Sequence, residues 1–382
     1  MKIYTFLLLI MFIGETILAQ NNNSVVNQFQ DHLTDDDIPI NLKLRLIDKA
    51  SAIGKSYNWK KSSLKKQRIN ASKIKNVYKE IEQLSYINSL VIVKNGFLVS
   101  EKYYNGGDKN TMDMTFSVTK SITSTLIGIA IEQGFIESVN DKMLNYFPEI
   151  DTSVIDPRKK EITIKQLLEM QAGFDKENIL QYFVRPAENE VKAILESELL
   201  FDPGTKFSYS TYGSHILSAI IKKSTGMNTY EFAKKNLFKP LGIKSIIWLT
   251  DKNNISIGGG GIMLTPRDMA RFGYLYLNNG MVDNKNIISE YWIECATQNR
   301  RKNLTEWNNI KNLGYGYQWW TGELNDFNFY AAIGHGGQWI VVVPGLNLVI
   351  ASTMDPRSEE NFKQMNSIIP ILSKIIDSNY VN

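Results

Sequence analysis

A single cysteine, Cys295, excludes any internal disulfide. Three histidines, His32, His215 and His335, offer no close pair to share an ion, so the sequence argues against metal chemistry. No run after the first residues is long and apolar enough for a membrane helix. Charge is short too: 43 basic against 39 acidic residues leave a net +4. The clusters Lys60-Lys61, Lys65-Lys66-Gln67-Arg68 and Arg300-Arg301-Lys302 lack interleaved aromatics, so they read as solvated surface and not as a nucleic-acid site.

What is present begins with a short positive start, Met1-Lys2, an apolar run over 4–13 and a small residue, Ala19, suited to cleavage. Residues 1–19 read as a signal peptide, with no cysteine at the cut to carry a lipid anchor. An exported chain without disulfides fits a bacterial periplasm or the medium. The expectation is therefore a periplasmic or secreted protein with no stable membrane anchor after cleavage. Residues 20–84 form a polar arm and a leading helix over 74–84, with no chemistry assigned. The remainder, 85–382, reads as one large domain.

The stretch that organises this domain is Thr115-Phe116-Ser117-Val118-Thr119-Lys120, followed by a helical segment with Ile122, Leu126, Ile129 and Ala130 at helical spacing and Gly134 at its end. Ser117 and Lys120 are three apart and so share one helix face. A lysine held in an apolar or cationic setting can take a serine's proton. The plain alternative is an N-cap serine with a solvated lysine.

Around this stretch, Asn95-Gly96 between apolar alternating runs marks a β-hairpin. Thr163 caps a helix over 164–170. Thr265-Pro266 with Asp268 opens another, and the four glycines before it, 258–261, read as close backbone packing. Four short strand patterns fill 314–354, and a last helix bears Ile368, Leu372 and Ile376 on one face. Strands at both ends and helices between give an α+β fold. Its antiparallel sheet comes from 88–105 and 314–354, flanked by helices, with a mostly helical lobe over about 121–310. Ser117 would sit at the seam of lobe and sheet, where pockets form.

Two further stretches stand out, Pro203-Gly204-Thr205 leading to Tyr209-Ser210-Thr211, and Gly334-His335-Gly336-Gly337-Gln338. Each has a bland reading, as a core tyrosine and a strand-end histidine. Taken together, Ser117-Val118-Thr119-Lys120, Tyr209-Ser210-Thr211 and His335-Gly336-Gly337 resemble, in order, the three motifs of the serine β-lactamase and penicillin-binding-protein superfamily. The match is nearest to the class C β-lactamase-related serine hydrolases and covers about 85–378. The resemblance implies a β-lactamase/transpeptidase-like fold and a cofactor-free serine hydrolase acting on a small ester, amide or peptide.

It also implies roles. Ser117 is the nucleophile, Lys120 and Tyr209 form the base pair, and the backbone N–H groups of Ser117 and Gln338 make the oxyanion hole. Thr211, His335, Gly336 and Gly337 bind substrate. The alternatives it carries are a D,D-carboxypeptidase or class C β-lactamase, and a catalytically silent receptor for cell-wall peptides or β-lactams. The departure from pattern is Thr211, where asparagine is usual. A hydroxyl cannot present the amide's donor pair, which points toward esters over β-lactams and D-alanyl peptides.

Overall fold

The computed structural model describes residues 54–174, 188–301, 304, 307, 309–356 and 361–379, without the side chains of 361–365. The expected signal peptide and the arm up to residue 53 lie outside the described residues.

The strands are β1 (Ile87–Lys94), β2 (Phe97–Tyr103), β3 (Asp113–Met114), β4 (Ile247–Trp248), β5 (Ile262–Leu264), β6 (Met281–Val282), β7 (Lys285–Asn286), β8 (Lys311–Tyr315), β9 (Trp320–Leu324), β10 (Phe327–Gly334), β11 (Gln338–Val343) and β12 (Leu348–Met354). Seven of them build one sheet in the order β2-β1-β12-β11-β10-β9-β8, every neighbour antiparallel. The first hairpin and the last meander therefore meet at β1 and β12, as the α+β reading requires. The β1–β2 turn is made by Asn95 (φ 51°) and Gly96 (φ 77°), the doubly left-handed pair that a two-residue hairpin needs.

Side-chain alternation divides the core in two. Leu90 and Ile92 face one way, with Trp339, Val341 and Ile350, and are covered by α1 (Ala71–Ile81) and a C-terminal helix, Asn361–Asp377. Val91 and Val93 face the other way, with Ile340, Val342 and Val349. That face takes α2 (Val118–Glu132), α3 (Ile164–Leu168), α4 (Thr211–Thr225) and α5 (Pro266–Leu277). The C-terminal helix, α6, runs through Pro370.

The segment α2 is buried on all sides from Val118 to Ala130: from Leu126 to Ala130 it is apolar all round, while its first two turns bury small hydroxyls, of which Ser121 and Thr123 donate to the Gln318 and Gly258 carbonyls. It packs against α4. A second, small sheet in the order β3-β5-β4 lies beside it. This sheet fixes the approach to Ser117: both the Thr115 backbone N–H and its hydroxyl donate to the Ile262 carbonyl, at 2.8 and 2.9 Å.

Candidate active site

Ser117 stands at the N-cap of α2, entered through Phe116 at φ 48°, an uncommon left-handed conformation for a bulky residue. Ser117 itself is already helical (φ −70°, ψ −4°), and its side chain makes no cap hydrogen bond. Lys120 is 1% exposed. Ser117 thus holds the N-cap position of the plain alternative, but its hydroxyl does not cap the helix and the lysine is not solvated.

The Lys120 Nζ donates to Ser117 Oγ at 3.1 Å, to Thr211 Oγ1 at 2.8 Å and to the Gly259 carbonyl at 2.9 Å. These three acceptors match in number the N–H bonds that a protonated lysine carries. The same Nζ lies 4.9 Å from the centre of the Tyr209 ring, within cation–π range. The first two motifs therefore meet at one nitrogen.

Each neighbour is held from elsewhere in the chain. Thr211 is the first residue of α4, so its hydroxyl is delivered at that helix's start. Tyr209, half-buried, stacks on Trp320 at 5.7 Å and meets Tyr315 edge-on at 6.1 Å. Gly259 must be glycine: an added Cβ would lie 2.4 Å from Thr211 Cγ2 and 3.1 Å from Lys120 Nζ. The adjoining Gly258 carbonyl accepts from the Thr123 hydroxyl at 2.8 Å. The packing role expected for these glycines is present, but their carbonyl contact with Lys120 was missed. A backbone acceptor has no sequence signature. Trp320 and Tyr315 were missed as well, because aromatics in a strand pattern read as core.

The third motif forms the turn from β10 to β11. An added Cβ on Gly334 would lie 2.2 Å from the Thr115 carbonyl, so this turn presses against the entry to Ser117. His335 meets Phe116 edge-on, ring centres 5.5 Å apart. Burial pushes the His335 imidazole below its ordinary 6.5. Gly336 and Gly337 both take positive φ, 73° and 95°. The Gln338 side chain donates to the Met354 carbonyl at 2.7 Å and accepts from its N–H at 3.3 Å, which ties the start of β11 to β12.

With this geometry in place, relatives become informative. A family model described as beta-lactamase matches residues 88–364, and the chain belongs to that family, in the superfamily of serine β-lactamases and penicillin-binding proteins that the motifs resemble. It is 25% identical over 320 residues to the 6-aminohexanoate-dimer hydrolase of Paenarthrobacter ureafaciens, covering 76% of this chain and 79% of that protein. Its fold matches a structure from Bacillus anthracis described as a candidate 6-aminohexanoate-dimer hydrolase, with TM-score 0.69 and 22% identity over 86% of this chain and 89% of that one. A candidate β-lactamase from Bacteroides dorei matches with TM-score 0.69 and 18% identity over 82% and 100%. At those identities the two structures speak for the fold alone, which is β-lactamase/transpeptidase-like as expected. The chain is a serine hydrolase of this family.

Proposed function

We propose that this enzyme cleaves small esters or amides through an acyl-enzyme on Ser117, with esters of good leaving groups turned over best. The observation that carries the reading is the buried Lys120 Nζ, 3.1 Å from Ser117 Oγ. A cation beside a phenol favours the phenolate, so Tyr209 is cast as the base and Lys120 as the group that keeps it basic. As Ser117 Oγ bonds to the substrate carbonyl carbon, its proton passes to Tyr209. The oxyanion is met by the backbone N–H groups of Ser117 and Gln338. The tetrahedral intermediate collapses, the bond to the leaving oxygen or nitrogen breaks, and that atom takes the proton from Tyr209. Water then gives its proton to Tyr209 and attacks the acyl carbon. Ser117 leaves and recovers the proton.

Thr211 and His335 are the basis for preferring esters. Thr211 accepts from Lys120, so it fills the acceptor half of an asparagine's work and supplies no amide donors to a substrate. His335, held below its usual range by burial, is a weak partner for a substrate carboxylate at neutral pH. The relative from P. ureafaciens supports keeping an amide of an aminohexanoate type within the substrate class. Export to the periplasm or medium belongs to this proposal and rests on residues 1–19.

Values of kcat/KM for p-nitrophenyl butyrate, a linear 6-aminohexanoate dimer, a chromogenic cephalosporin and a D-alanyl-D-alanine tripeptide decide it. The ester is expected to lead. A clear preference for either of the last two moves the function to antibiotic or cell-wall chemistry.

A further inference from the structure

Behind the Gly258–Gly259 segment lies a buried pair that the mechanism above does not use. His215, on α4, is 0% exposed, and its Nε2 lies 3.1 Å from Asp251 Oδ2. The other carboxylate oxygen of Asp251 accepts the backbone N–H groups of Asn253, at 2.9 Å, and Ile255, at 2.8 Å. Asp251 is thus fixed by its own loop. On the far side of the ring, the Gly258 N–H points at His215 Nδ1 at 3.5 Å. A donor aimed at Nδ1 needs a lone pair there. The imidazole proton must then sit on Nε2, facing Asp251.

The chain of contacts continues into the site. The next residue, Gly259, offers Lys120 its carbonyl at 2.9 Å. No side chain steers that carbonyl, since Gly258 and Gly259 have none. Its orientation is that of the 259–260 peptide, whose Gly260 N–H donates to the Ile257 carbonyl at 3.3 Å. The Ile257 carbonyl shares a peptide with the Gly258 N–H held by His215, and the Thr123 hydroxyl holds the Gly258 carbonyl between the two.

We propose that Asp251 and His215 are positioning residues for Lys120. Asp251 selects the imidazole tautomer, the tautomer accepts the Gly258 N–H, and the Gly259 carbonyl is thereby aimed at the ammonium. The inference rests on the reading of Lys120 as part of the base pair. A bland core histidine would serve equally well in either tautomer, provided that it was satisfied. A positioning histidine would not: with the proton on Nδ1, two N–H donors would face each other at Gly258.

Asp251→Asn is the diagnostic change. It keeps the volume and an oxygen for the backbone donors but turns an N–H donor toward Nε2, which draws the ring proton to Nδ1. The tautomer is read from ring nitrogen–proton correlations on protein labelled at histidine. Only three histidines are present, and His215 is assigned by elimination with His32→Gln and His335→Gln. The wild type is expected to carry the proton on Nε2. The Asp251→Asn enzyme is expected to carry it on Nδ1 and to lose kcat on p-nitrophenyl butyrate on the order of tenfold, with KM little changed. A wild-type proton on Nδ1 overturns the proposal, and so does a switched tautomer with kcat within about twofold of wild type. If Asp251→Asn does not fold, His215→Gln, whose amide can both donate and accept, should keep more activity than His215→Phe; equal activity in the two overturns the proposal. Lys120→Ala is assayed in parallel. An active Lys120→Ala enzyme removes the base-pair reading itself, whereas an inactive one beside a fully active Asp251→Asn enzyme removes only this inference.

Discussion

At the scale of single residues the site is one lysine nitrogen and what surrounds it. Because Lys120 and Tyr209 are cast as one proton-handling unit, Lys120→Ala and Tyr209→Phe should each remove most of the activity, on the order of a hundredfold or more. The double variant should lose little beyond the worse single one. Multiplicative losses in kcat would show that the two act separately. A second test uses the tight fit at Gly259. Gly259→Ala places a methyl against Thr211 and Lys120 and should lower kcat at least about tenfold while the protein still folds, since overpacking of this kind costs about 1–3 kcal/mol. His335 gives a third. Its imidazole titrates below 6.5, so if it receives a substrate carboxylate, KM for an anionic ester should rise as pH climbs through that lower range. KM for a neutral ester should stay flat. A rise centred above neutrality would place the carboxylate partner elsewhere.

Among the elements, what the sequence made legible follows range of interaction. The Asn95-Gly96 hairpin, the Thr265-Pro266 helix start and the buried α2 were readable because each is decided by neighbours within a turn or two: positive φ, a cap, apolar residues recurring at helical spacing. The strands β3, β4 and β5 were not read together, since two or three residues carry no period. Yet their pairing is what brings Ile262 to Thr115 and sets the entry to Ser117. The three motifs could be found one by one, but the Gly259 carbonyl between them could not, because it is main chain. Helix α2 carries its own test at Gly128. A Cβ there would lie 2.4 Å from the Trp292 ring. Alanine gains about 1 kcal/mol in helix propensity over glycine, against about 1–3 kcal/mol of overpacking. Gly128→Ala should therefore lower Tm or leave it level while kcat holds. A clear rise in Tm would contradict so close a packing of α2 on Trp292.

For the whole molecule, residues 54–61 strap the N-terminal segment across the domain. The Tyr57 N–H donates to Asp268 Oδ1 at 2.8 Å, and Trp59 Nε1 donates to the Arg267 carbonyl at 3.1 Å. Burial pushes the Asp268 carboxyl up to about 7, although hydrogen bonds from Thr265 and Tyr57 and the charge of Arg267 oppose the shift. An acid raised in the folded state binds its proton more tightly there than in the unfolded chain. Its contribution to stability is complete below the unfolded value of 3.8 and is lost as pH rises through about 7. Asp113, pushed up to about 6 chiefly by burial, has the same sign. Glu101 has the opposite sign: desolvation opposes it, but hydrogen bonds from Arg267, Tyr103 and Lys61 hold it at about 2, so its contribution fades only in acid. The wild type should therefore lose stability relative to Asp268→Asn as pH is raised from about 4.5 to about 8 in denaturant melts. Parallel pH dependences in the two proteins would show that Asp268 is not the titrating group.

The central claim is that Ser117 carries the acyl group, and covalent labelling tests it without any assumption about substrate. Intact-protein mass spectrometry after a fluorophosphonate probe should show one adduct, absent in Ser117→Ala and mapping to the peptide that holds Ser117. An adduct that persists in Ser117→Ala, or that maps to Ser121 or Ser124 on the same helix, would contradict the account.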